Sequence, residues 1–144
     1  MEITTYVTRI TEKPDKRGKP TFFIGTTDGI VLCSKGKKPI EDLEAWDMVK
    51  VTYKSPKMFP FLWEFLLEKL EAQPMGTYKV LSTGKHTSRN GGTYYKTIVQ
   101  DEEFNQLFLC SKNKMSLANG SEIALIYERG KGRFANWIWN FHVC

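Results

Sequence analysis

The tetrapeptide Leu-Cys-Ser-Lys occurs twice in this chain, at Leu32–Lys35 and at Leu109–Lys112, and a further lysine follows each copy at Lys37 and Lys114. A repeated apolar segment of this kind commits the chain to building one unit twice. Upstream, an offset of 72 pairs Thr5 with Thr77, Tyr6 with Tyr78, Thr11 with Thr83, Lys13 with Lys85, Arg17 with Arg89 and Thr21 with Thr93. Chance gives roughly one identity in such a window. Downstream, an offset of 74 pairs Tyr53 with Tyr127 and Trp63 with Trp137, so the copies differ by small loop insertions. Two copies make a tandem module, since a solenoid needs three or more repeats. We divide the chain into copies 1–74 and 75–144. Modules of about 70 residues sit near the lower limit for an independent core.

The pattern within each copy is that of a mainly β unit. Thr4–Thr11 is rich in β-branched residues and Tyr, which suits a half-buried strand. Glu12–Pro20 (EKPDKRGKP) interrupts it with Pro, Gly and charge and predicts an exposed hairpin loop. Thr21–Thr27 and Ile30–Cys33 are strands separated by an Asp28-Gly29 turn. Pro39–Trp46 has Pro at a first helical position, acids in the first turn, and Ile40, Leu43 and Trp46 at helical spacing, which predicts a short helix ending in Trp46 as a plug for the core. Met48–Tyr53 alternates as a fourth strand. Copy two repeats the order with strands at Tyr78–Thr83, Thr93–Gln100, Gln106–Cys110, Glu122–Tyr127 and Trp137–Val143, a basic loop at Gly84–Gly92, and a shortened helix or turn at Met115–Asn119. Phe61–Glu71 is ambiguous. Its glutamates share a helical stripe, whereas the repeat places Trp63 and Phe65 opposite Trp137 and Trp139 and an absent fifth strand would leave an unpaired edge. We take it as a strand, with a helical linker as the alternative.

A formal charge of +5 and a pI near 9.1 lean the surface toward polyanions. Cys33 and Cys110 stand alone inside apolar runs, as does Cys144 at the end of the chain. Metal-ligand spacing is absent, and the first two read as small buried residues in a reducing compartment. Met1–Thr11 has no apolar signal core, and Met58–Leu67 is too short to span a bilayer. A soluble cytoplasmic protein is expected.

Strand, basic loop, strand, strand, helix or short connection, strand, loop, strand is an order of elements met in OB-folds, and here it occurs twice. The chain resembles tandem OB-fold single-stranded DNA-binding proteins of the kind that phages and mobile elements encode. That resemblance implies two five-stranded barrels. It also implies an oligonucleotide lying across strands 2 and 3, between the loop joining strands 1 and 2 and the loop joining strands 4 and 5. Those loops hold Lys13, Lys16, Arg17 and Lys19 in copy one and Lys85 and Arg89 in copy two, then Lys54 and Lys57, and finally Arg129, Lys131 and Arg133. The acids concentrate elsewhere, in Glu41–Asp47, Glu64–Glu71 and Asp101–Glu103. One departure is the ending Asn140–Cys144, which has no acidic residue where bacterial relatives of this kind typically carry an acidic tip.

Binding a single strand needs cations for phosphates and ring faces for bases. A lysine disfavours the interior, so alternation turns Tyr94, Lys96 and Ile98 outward and Tyr95, Thr97 and Val99 inward. The repeat then makes Phe22 the outward partner of Tyr94; Phe22–Ile24 is apolar throughout, and the inverted facing would put Phe23 in its place. Phe59 and Phe134 in the later loops are further stacking candidates. Trp137, Trp139 and Phe141 share one face of the last strand and are expected in the core, as small barrels need large inward side chains. The solvated-surface reading holds for any single lysine; matching basic loops favour function.

Enzyme signatures are weak. His86 and His142 fit no zinc spacing, the acidic pairs read as turn and helix-start charges, and no Gly-rich phosphate loop or nucleophile motif is present. No cofactor, metal or catalysis is expected. The expected partner is single-stranded DNA in replication or recombination, with RNA as an equally compatible single strand; the alternative function is a protein-interaction module, a small inhibitor or adaptor.

Overall fold

Runs of β-branched and aromatic residues set the backbone of this protein, and in the computed structural model, which describes residues 1–54, 59–130 and 132–144, they form strands almost throughout. Among the described residues there is no α-helix, hence none long and apolar enough to cross a membrane. The chain divides into two units, Met1–Gln73 and Pro74–Cys144. Unit one contains β1 (Glu2–Pro14), β2 (Pro20–Thr26), β3 (Val31–Lys35), β4 (Met48–Thr52), β5 (Phe61–Leu62) and β6 (Leu66–Lys69). Unit two contains β7 (Gly76–Thr87), β8 (Thr93–Gln100), β9 (Gln106–Ser111), β10 (Glu122–Tyr127), β11 (Trp137–Ile138) and β12 (Phe141–Val143).

Each unit is one six-stranded sheet, ordered β5-β3-β2-β1-β4-β6 in the first and β11-β9-β8-β7-β10-β12 in the second. The outermost strands are consecutive pieces of one segment. In unit one, β5 runs parallel to β3, and after a bend at Trp63-Glu64 the chain continues as β6, antiparallel to β4. Unit two repeats this with β11 on β9 and β12 on β10. The helical alternative for 61–71 is not realised: Leu62 is buried and Leu67 packs on the core, and pairing along both edges satisfies backbone groups that a helix would have left open.

The helix expected over Pro39–Trp46 is absent. Leu43 N donates to Ile40 O and Asp47 N to Glu44 O, each at 3.2 Å, which makes successive turns. Eight residues form too short a segment to repay helix nucleation, and the turns already deliver Ile40 and Leu43 to the core. Leu43, fully buried, is the plug; Trp46 is only half-buried and holds a left-handed φ of 74°. Its amide donates to Val7 O at 2.6 Å, as the amide of Gly120 (φ 84°) donates to Val80 O at 2.7 Å. Met115–Asn119 is likewise irregular, with Met115 and Leu117 packed inward.

Those equivalent bonds set Val7 against Val80, an offset of 73, and the first hairpins of the two units keep it throughout: Lys13 pairs with Thr21 as His86 pairs with Tyr94. The identities at offset 72 are therefore one residue out of structural register. Likewise Leu62 on Leu32 matches Ile138 on Leu109, so Trp63 corresponds to Trp139 and Phe61 to Trp137. Each unit has its own core, built from Val7, Ile24, Leu32, Leu43, Val49, Val51 and Leu62 in the first and from Val80, Val99, Leu109, Leu125 and Ile138 in the second.

Candidate functional site

The outer side of β8 and β9 carries a cluster of rings and a lysine. Thr97 and Val99 are fully buried, so alternation turns Tyr94, Lys96 and Ile98 to the other face, as the sequence predicts. Tyr94 stacks on His86 of β7, with centroids 5.6 Å apart and planes at 26°, and meets Trp139 at 5.6 Å. Next to it the Lys96 ammonium lies 5.2 Å from the centroids of both Phe108 and Trp137, which are 5.2 Å from each other. A cation held over two ring faces has its long side chain fixed in place. Trp137 and Trp139 thus do not fill the interior. Ile138 between them does, at zero exposure, while Trp139 stays 57% exposed. Alternation about Ile138 turns both tryptophans out, and after the bend at Trp139-Asn140 Phe141 packs on the core as expected.

In unit one the corresponding face is built from different residues. Ile24 is fully buried and fixes Phe22 on the core side, while Phe23 packs edge-on against Trp63 at 6.3 Å and 79°. Phe22 is therefore not the outward ring, and its match is Tyr95; the slip of one residue in the repeat exchanged the faces. Lys13 lies 6.0 Å over Phe23, and Lys35 lies 5.7 Å over Trp63.

The first loop is shorter than expected. β1 runs on to Pro14 and β7 to Thr87, which puts Lys13 and Lys85 on strands. Lys85 pairs with Tyr95 and so lies on the face opposite Tyr94 and Lys96, away from the ring cluster. Asp15 Oδ1 accepts the amides of Arg17 and Lys19 at 2.8 Å, closing a turn that leaves Lys16, Arg17 and Lys19 exposed. Arg89 is exposed in the matching turn, where its counterpart is Lys16 and not Arg17. Lys54, Arg129 and Phe59 are exposed; Arg133 stacks its guanidinium 4.9 Å over the exposed Phe134. Lys57 and Lys131 lie outside the described residues.

The acids are engaged elsewhere. In unit one Lys50 pairs with Glu68 at 3.1 Å, and Lys69 with Asp47 at 3.4 Å and Asp42 at 3.5 Å, along β4 and β6. Cys33 and Cys110 lie opposite Phe23 and Lys96 in the ladders and are buried. Burial pushes the Cys110 thiol up to about 11 despite the opposing pull of Lys96. Among the described residues no group of His, Cys, Asp and Glu is arranged to hold a metal.

Trp63 and Lys35 in unit one, and His86, Phe108, Trp137 and Trp139 in unit two, escaped the sequence reading as binding candidates, whereas Phe23 is the ring of the inverted facing. The Trp-Ile-Trp run held the signal, since alternation buries either the isoleucine or both tryptophans. Comparison with family models, with curated proteins and with solved structures finds no match for this chain.

Proposed function

We propose that the protein binds single-stranded nucleic acid, and specifically single-stranded DNA, with little sequence preference and without catalysis, on the outer faces of β2–β3 and β8–β9. The observation that carries this reading is the unit-two cluster, where Tyr94, Trp139 and His86 offer ring faces next to the ammonium of Lys96. Bases stack on such rings whatever their identity, while phosphates follow the cations. Unit one repeats the combination with Phe23, Trp63, Lys13 and Lys35. Counting each bent edge segment as one strand leaves five per unit and joins the two edges of the sheet, which supports an OB-like barrel in each half. The setting that suits such a binder is cytoplasmic replication or recombination, for example of a phage.

The test is fluorescence anisotropy with labelled dT, rU and duplex oligonucleotides at two salt concentrations. The expected result is tighter binding of single strands and a steep loss with salt. Equal affinity for duplex would reduce the reading to general charge attraction, and a salt-independent protein complex would favour the interaction-module alternative.

A further inference from the structure

A depression of about 390 Å³ opens on unit one between β3 and the bend of the edge segment, lined by Cys33, Ser34, Lys35, Pro39, Trp63 and Phe65. That volume lies at the small end of ligand sites, which run from about 300 to 1,000 Å³. Its walls combine flat apolar surface from Trp63, Phe65 and Pro39 with a cation, Lys35, and a hydroxyl, Ser34. Ser34 Oγ is already spent, donating to Lys37 O at 2.7 Å, which curls the Lys35–Lys38 turn around the rim.

Unit two shows what belongs beside such a tryptophan. There Tyr94 lies against Trp139 with centroids 5.6 Å apart. The structural counterpart of Tyr94 in unit one is Thr21, whose partner across the ladder is Lys35 itself. A threonine, itself buried, thus stands where the other unit supplies a six-membered ring, so Trp63 lacks that ring partner, and its side chain forms a wall of the depression. Phe23 meets Trp63 edge-on and the Lys35 ammonium lies 5.7 Å over the ring, yet Trp63 remains 44% exposed.

We infer that this depression is a subsite for a single nucleobase, stacked on Trp63, which lacks the ring partner that Tyr94 gives Trp139 in unit two, with the adjoining phosphate on Lys35. The inference rests on the single-strand reading above and gives it an asymmetry: unit one accepts a base into a slot, while unit two offers its rings already stacked. Stacking of one base is worth about 1–3 kcal/mol, which is roughly a 5- to 150-fold change in affinity.

The experiment measures anisotropy of a labelled dT oligonucleotide with the full-length protein, its Trp63→Ala, Trp63→Phe and Lys35→Met variants, and dTMP as competitor. Trp63→Ala is expected to weaken binding at least about fivefold with its salt slope unchanged, Trp63→Phe to recover most of the loss, and Lys35→Met to lower the slope by about 0.7. In circular dichroism all variants stay folded. Wild-type binding that Trp63→Ala leaves intact overturns the subsite and leaves the single-strand reading standing. A wild-type protein that binds no oligonucleotide overturns both. Should Trp63→Ala unfold, Lys35→Met decides, and an unchanged salt slope there overturns the subsite.

Discussion

The two units share an interior and differ on the outside. Leu32 and Leu109, Leu62 and Ile138, and Val7 and Val80 fill equivalent buried places, and the turns at Asp15–Lys19 and Ser88–Gly92 close with the same pair of backbone bonds. On the outer face Thr21 stands against Tyr94, Phe23 against Lys96, Val31 against Phe108, and Lys13 against His86. Even the cation and the ring exchange places: Lys13 reaches over Phe23 from β1, whereas Lys96 reaches over Phe108 from β8. Ladder and core tolerate only residues that keep the alternation, while the outer face is free to vary and carries rings and cations in both units. The scaffold is what the two copies have in common, and the rings and cations of the outer face are where they differ.

The largest effect tests the shared interior. Leu32→Ala and Leu109→Ala each remove a fully buried side chain and should cost about 2–5 kcal/mol in denaturant melts, with similar losses in the two units. A loss below about 1 kcal/mol in either would break the equivalence of the cores. Next comes the outer face. Tyr94→Ala should lower single-strand affinity by about 1–3 kcal/mol with a nearly constant salt slope, and Phe23→Ala should do so where Phe22→Ala does not. Anisotropy titrations of the three variants decide this, and loss of binding from folded Phe22→Ala in place of Phe23→Ala would reverse the assigned faces.

A smaller effect separates the two sides of the second hairpin. Lys96→Met should reduce the salt slope by about 0.7 on a single strand, while Lys85→Met, on the opposite face, leaves it unchanged. The smallest concerns the turns. Arg17→Ala and Arg89→Ala together should lower the slope by at most about 1.4 and leave thermal stability within about 0.5 kcal/mol, since both side chains are exposed.

The sequence makes the strand order and the duplication readable because apolar alternation and the Leu-Cys-Ser-Lys repeats report the core directly. The faces of β8 follow from Lys96 alone. The faces of β2 do not, because Phe22, Phe23 and Ile24 are all apolar and only the position of the buried Ile24 decides among them. Transferring Tyr94 by the identities at offset 72 then slips the strand by one residue, and in a period of two such a slip inverts every side chain. The identities misled because they match positions of opposite burial: Thr5 and Thr21 are buried, whereas Thr77 and Thr93 are exposed. The short helix failed for another reason: Ile40 and Leu43 are spaced alike in a helix and in two consecutive turns, and burial of Leu43 rewards either. The outward tryptophans were hidden by size, since large rings normally signal an interior.

The bent segment that lines both edges also has a bearing on how the chain emerges during synthesis. In each unit the parallel pairing of β5 on β3, or β11 on β9, joins residues about thirty positions apart, and nothing earlier in the sequence can stand in for it. Until that segment leaves the ribosome, β3 and β4 each present a row of unpaired amides and carbonyls. Pairing of that segment therefore covers two edges at once, and a nascent chain in which β3 and β4 have emerged but Phe61–Lys69 has not is the one that presents both edges to its neighbours.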